Sequence, residues 1–225
     1  MAGVSGRAIF PTFSLLNHSC VGNTKFSLDT SSTQLRLEAR RSIKEGEELT
    51  VQYYTSYLGT HKRRRRLKSE WYFDCHCERC TDPTELGTMV SAVLCEACEE
   101  GYLLPRDPLD AYSEWPCSKC DFYLEVAVST NHSTQSLRSQ YFQVPDLERK
   151  IDQLEEELNF LSSKKDLRRL ENFIQELSST VLHPHHYLLL IARRNYKYIS
   201  QKQLISQLAK CDALQQESLK EVSVN

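Results

Sequence analysis

Nine cysteines are the residues of this 225-residue chain with the clearest chemical spacing, and eight of them lie ahead of residue 121 in close groups. Cys95 and Cys98 in "CEAC" and Cys117 and Cys120 in "CSKC" enclose eighteen residues. That is the spacing at which two tight turns each offer two thiolates to one tetrahedral zinc ion. Clustering of this kind favours metal over a disulfide framework. A second group, "CHCERC", offers Cys75, Cys77 and Cys80, one thiolate short of a closed site. His76 lies between two of these ligands and in an extended Cys-x-Cys points away from the metal. Cys20 and Cys211 are the remaining candidates, and composition does not choose between them. Cys20 ends the stretch "SLLNHSC", so Asn17 and His18 stand directly beside a candidate ligand.

These residues need elements to hold them. Residues 24–53 read as a small antiparallel β unit: Leu35, Leu37 and Ala39 alternate after a Ser/Thr-rich turn, and "SIKEGEELTVQYY" turns at Glu45-Gly46 into a β-rich run. From Ser56 to Trp71 the pattern is helical, with Tyr57, Leu67 and Trp71 as inward anchors. "HKRRRR" falls on its exposed side as a solvated basic face, with a nuclear-import signal as its rival. After the second cysteine group, "LEVAV" predicts a last strand and a polar linker follows. From Pro145 the chain is helical. Leu147, Ile151, Leu154 and Leu158 mark a first helix and Leu167, Leu170, Ile174, Leu177 and Val181 a second. Pro184 opens a third helix through "HHYLLLIARRNYKYI", and "QKQLISQLAKCDALQQESLKEV" reads as a fourth. Four such helices suggest stacked antiparallel hairpins of tetratricopeptide type. His183, His185 and His186 belong to a helix start and carry no metal role.

The formal net charge of −2 argues against a generally basic nucleic-acid binder. The first residues lack the basic start and apolar run of a signal peptide, and "YLLLIA" is too short to span a bilayer. The expectation is a soluble intracellular protein, nuclear or cytoplasmic or both, without membrane contact.

"SLLNHSC", "RSIKEGEELTVQYY" and "FDCHCERC", in this order and followed by a helical tail, resemble the second half of a SET domain with its cysteine-rich post-SET segment. The branch is the SMYD family of protein-lysine methyltransferases, and the 95–120 insertion is similar to its arthropod-type members. The fold class implied is α+β: the C-terminal part of a SET β-fold with a zinc-binding post-SET segment and a zinc-ribbon-like insertion, then an all-α helical-hairpin domain. The boundaries are 1–57 for the SET portion, 58–82 for the post-SET helix and zinc cluster, 83–130 for the insertion and 140–225 for the helical domain.

The resemblance implies Cys20 as the fourth ligand of Cys75, Cys77 and Cys80, with Cys211 left as a buried thiol, and so two zinc ions in all. It implies S-adenosylmethionine as cofactor, with Asn17, His18, Tyr53 and Phe73 against it and Tyr53 as the catalytic residue. Tyr54, its strand neighbour, faces the other side. Trp71, where many relatives have Tyr, lines the substrate channel without a hydroxyl. The partners implied are lysine-bearing proteins, histones or others. A SET segment with a Gly-rich turn and a MYND finger precede this part in the family and are not found here. The chain therefore reads as a fragment, a short isoform or an incomplete gene model, with apolar strand faces and a sheet edge expected to be exposed. Two further readings compete: an inactive zinc-stabilised protein-interaction module, and a nucleic-acid binder, which the charge balance disfavours.

Overall fold

The computed structural model describes residues 8–29, 31–54, 57–125 and 144–222. The predicted strand at "LEVAV" and its linker fall mostly outside the described residues, which resume at 144. The chain divides into two compact units, one holding residues up to Gly87 with Asp107–Ala111, the other holding Thr88–Arg106 and everything from Tyr112.

In the first unit β1 (Asn17–His18) pairs with β4 (Thr50–Val51), and β2 (Thr24–Asp29) with β3 (Gln34–Ala39). The β2–β3 hairpin is antiparallel, but β4 runs parallel to β1 rather than extending an antiparallel unit. Buried Asn23 is the physical reason. Its side chain accepts from the Thr50 N–H at 2.9 Å and donates to the Glu48 carbonyl at 2.9 Å, so the returning chain docks beside β1. Gly22 permits this approach, since a Cβ there would meet the Thr50 carbonyl at 2.9 Å. The hairpin aligns Phe26 with Leu37 and Leu28 with Leu35 on one face. Phe26, Leu28 and Leu37 are exposed, the open apolar strand face that the sequence predicts.

Helix α1 (Thr60–Trp71) carries the basic run and ends where Tyr72 adopts a left-handed conformation, φ 63°, turning the chain toward the cysteines of "CHCERC". Leu67 is buried as expected, but Tyr57 and Trp71 are exposed, and Arg63 is buried in their place. The short helix α2 (Glu78–Thr81) follows and includes Cys80.

In the second unit β5 (Val93–Leu94) pairs with β6 (Tyr102–Leu103), and β7 (Trp115–Pro116) with β8 (Tyr123–Leu124), all antiparallel. Three helices follow: α3 (Val144–Lys164), α4 (Leu167–Thr180) and α5 (Tyr187–Val222). Asp166 caps α4 by accepting from the Arg169 N–H at 3.1 Å. Leu158, Leu161, Leu170, Leu188 and Leu189 form the buried seam of this bundle. The third and fourth predicted helices are one helix, and "NYKYISQKQLI" holds no Gly or Pro to break it. Cys211 lies exposed on it, not buried. The loop ahead of α5 is stitched to the base of the β5–β6 pair: the Leu94 N–H donates to the Val181 carbonyl at 2.8 Å, and that of Tyr187 to the Val90 carbonyl at 2.9 Å. Among the described residues no helix is long and apolar enough to cross a membrane.

Candidate metal centres and the aromatic site beside one of them

Cys20 follows β1 in a turn held by the Ser19 N–H, which donates to the Val51 carbonyl at 3.2 Å. Cys75, Cys77 and Cys80 arrive from the end of α1 and the start of α2. The four sulfurs lie within 4.8 Å of one another, Cys20 being 3.9 Å from Cys75 and 3.6 Å from Cys80. In a tetrahedral zinc site with Zn–S of about 2.3 Å the sulfurs are roughly 3.8 Å apart, so the donor set fits that ion. Of the two open candidates, Cys20 is the one brought here. His76 is exposed, its side chain turned outward.

Charge supports the same fit. Hydrogen bonding to Cys75 and then Cys77 pushes the Cys20 thiol up, while hydrogen bonding to Cys20 first, then Cys75, pushes Cys77 down. Four sulfurs this close cannot all ionise by themselves; a divalent cation removes the conflict.

The second group is built differently. Cys95 and Cys98 flank the turn between β5 and β6, Cys117 and Cys120 that between β7 and β8, and the four sulfurs again lie within 4.8 Å of one another. Cys95 is 3.8 Å from Cys120, and Cys98 is 3.8 Å from Cys117. Backbone donors serve the sulfurs: the Gly101 N–H reaches Cys98 and the Lys119 N–H reaches Cys117, both at 3.3 Å. Backbone N–H groups of Glu100 and Gly101 bring the Cys98 thiol down to about 6, whereas burial pushes Cys95 up to about 12. Gly101 has no substitute here, because a Cβ would stand 2.3 Å from the Cys117 sulfur. Both groups thus have the donor set of a closed structural zinc site.

Beside the first centre the rings of four predicted site residues, His18, Tyr53, Phe73 and Trp71, come together, while the Asn17 side chain turns to Glu48. The His18 ring is 5.1 Å from that of Tyr53 and 5.8 Å from that of Phe73, and Trp71 lies 5.6 Å from Tyr53. Tyr54 also packs edge-on against Trp71, at 4.6 Å, so both adjacent tyrosines reach that indole. The Tyr53 hydroxyl donates to the Leu16 carbonyl at 2.6 Å, and the Tyr53 N–H donates to His18 Nδ1 at 3.1 Å. Nδ1 being an acceptor, the neutral ring carries its proton on Nε2, which lies 3.3 Å from the Cys20 sulfur. Burial lowers the His18 pKa, which favours this neutral form. Asn17 is exposed, its amide donating to Glu48 Oε1 at 2.6 Å and its carbonyl oxygen left for other partners. A cavity of about 390 Å³ opens beside Tyr53, lined by Phe13, Leu16, Phe26, Val51, Gln52 and Trp71 among others.

Sequence reasoning missed Arg63. It donates to the sulfurs of Cys20, at 3.2 Å, and Cys80, at 3.4 Å, and is only 2% exposed. A signal was present: Arg63 stands four residues before Leu67, on the same helix face as the anchor the periodicity did identify.

Residues 3–54 match the family model described as SET domain. The fruit fly (Drosophila melanogaster) "SET domain-containing protein SmydA-8, isoform B" is 34% identical over 117 residues, which cover 51% of this chain and 26% of that protein. The mouse (Mus musculus) "Histone-lysine N-methyltransferase Smyd1" is 41% identical over 33% of this chain and 18% of its own length. The Pongo abelii "Protein-lysine N-methyltransferase SMYD4" is 32% identical over 65% of this chain and 19% of its own length. The matched part thus spans about a quarter or less of each of these relatives.

Proposed function

Because the chain is a SET protein of the SMYD family, we propose that it carries the post-SET half of an S-adenosylmethionine-dependent protein-lysine methyltransferase site. The observation that carries the reading is the clustering of the His18, Tyr53, Trp71 and Phe73 rings, three of which, His18, Tyr53 and Phe73, lie against the first cysteine group. The domain boundaries given above, and a zinc ion in each cysteine group, are part of this proposal.

Asn17, His18 and Phe73 would hold the cofactor: the amide carbonyl of Asn17 as a polar acceptor, the two rings as a wall for a flat base. When bound, S-adenosylmethionine supplies an electrophilic methyl group on a sulfonium. Tyr53 commits its hydroxyl proton to the Leu16 carbonyl, which leaves the oxygen free to accept from the N–H of a lysine amine. A neutral amine so held has its lone pair oriented for in-line attack, and its displaced proton leaves to solvent. Trp71 closes the channel with an aromatic face that favours cationic groups and makes no hydroxyl contact to the amine. Lysine-bearing proteins are the substrates, histones among them, as the name of the mouse relative suggests. The site of action is nuclear, cytoplasmic or both.

The alternative is a zinc-stabilised interaction module without methyl transfer, favoured by the open apolar face of Phe26, Leu28 and Leu37. Calorimetric titration of S-adenosylmethionine into zinc-loaded protein separates the two. Saturable binding that the Asn17→Ala, Tyr53→Phe double variant weakens supports the methyltransferase site. Two zinc ions with no cofactor binding supports the module.

A further inference from the structure

Arg63 lies in a run of four arginines of which Arg65 and Arg66 are exposed. Its guanidinium is fully committed. Nε donates to the Cys20 sulfur, Nη2 to the Cys80 sulfur and to Thr60 Oγ1 at 2.9 Å, and Nη1 to the Leu58 carbonyl at 2.6 Å and Glu85 Oε2 at 2.5 Å. Glu85 Oε2 also pairs with Arg79 at 3.1 Å, and all three side chains are at most 7% exposed.

The segment that delivers Glu85 is unusual backbone. Glu85 and Leu86 adopt left-handed conformations, φ 53° and 60°, ahead of Gly87 at 75°. The Asp82 carboxylate fixes that turn by accepting from the N–H groups of Thr84, at 2.8 Å, and Leu86, at 2.9 Å. Two successive non-glycine residues in this region are strained, and the strain persists only where surroundings impose it. Its result is a buried carboxylate aimed at Arg63.

Four thiolates around a divalent cation leave two negative charges in excess, which is costly in a buried site unless paired. The second group needs no such help: its sulfurs are more open, its donors are neutral backbone N–H groups, and Lys119 pairs with Glu100 at the surface instead.

We propose that Arg63, locked by Glu85 against Arg79, is the built-in counter-charge of the first cysteine centre and makes that centre hold its zinc far longer than the second holds its own. The inference rests on zinc being bound in the first centre, as proposed above. Guanidinium hydrogen bonds are charge-assisted and two-pronged. They place positive charge against the sulfurs of Cys20 and Cys80, one from each end of the cross-link.

The test is zinc release from the full chain into excess 4-(2-pyridylazo)resorcinol, followed by absorbance. Cys98→Ser, which spoils only the second group, assigns the phases. The wild-type chain should release in two steps, the slow one from the first centre. Arg63→Met should speed that step about 10–100-fold, the range for losing a group that supports a metal ligand, and leave the fast step unchanged. Arg63→Lys, which keeps the charge but not the fork, should fall between, and Arg65→Met should match wild type.

Because Arg63→Met leaves a buried carboxylate short of a partner, the double variant Arg63→Met, Glu85→Gln is measured beside it. Fast release in both supports the proposal. Recovery of slow release in the double variant overturns it, because the defect would then lie in Glu85 and not in the lost sulfur donors. So does acceleration of both steps alike or of neither. A wild-type chain with no zinc in the first centre would instead remove the reading on which the proposal stands.

Discussion

The two cysteine groups offer the same four ligands and differ in almost everything else. The first gathers sulfurs from positions 55 residues apart, buries three of the four and surrounds them with side chains: Arg63 by guanidinium, His18 by imidazole. The second draws its sulfurs from two short hairpins, leaves three of them half-exposed and serves them from the backbone. The lesson is that ligand number does not define a centre's task. On the reading proposed above, a metal that closes a long loop beside His18, Tyr53 and Phe73 would organise a functional surface, while one that ties two turns would stabilise its own module.

The largest expected effect comes from opening the long cross-link. Cys20→Ser should cost one of two zinc ions and several kcal/mol of stability in the first unit, a fall on the order of 10 °C or more in its melting transition by calorimetry. If both ions survive, the contrast fails. Cys98→Ser should also cost one ion, yet leave the melting of the first unit and any cofactor binding unchanged. Tyr53→Phe sharpens the functional side of the contrast. It loses one hydrogen bond to Leu16, about 1 kcal/mol of stability, while methyl transfer by a competent assembly drops about 100-fold through misplacement of the amine. Smallest of all is Arg65→Gln, on the exposed side of α1, which should change stability by no more than about 0.5 kcal/mol in denaturant titration.

Arg63 and Arg65 also mark how far the sequence could be read. Cysteine spacing made the second donor set and three ligands of the first legible, because ligand geometry constrains short stretches of chain; Cys20, 55 residues from Cys75, was reached only through the resemblance carried by the ordered motifs. A run of four arginines reads as solvated unless a neighbouring residue opposes its charge, and the opposition here, Glu85 and two sulfurs, arrives from other parts of the chain. Trp71 and Tyr57 read as inward anchors by period alone, yet both are exposed: Tyr57 lies ahead of α1, which begins at Thr60, and Trp71 is its last residue. The two last predicted helices merged for a local reason visible in the sequence, the absence of Gly and Pro between them. Parallel pairing of β1 with β4 depends on Asn23 bonding across 27 residues, a tertiary choice that alternation of side chains does not encode.

The most direct test of the central claim is the zinc count of the intact chain by native mass spectrometry, wild type beside Cys20→Ser and Cys211→Ser. The account predicts two ions in wild type, one in Cys20→Ser and two in Cys211→Ser. Two ions in Cys20→Ser, or one in Cys211→Ser, would contradict it, because the metal would then not join the Asn17–His18 strand to the cysteines beyond α1.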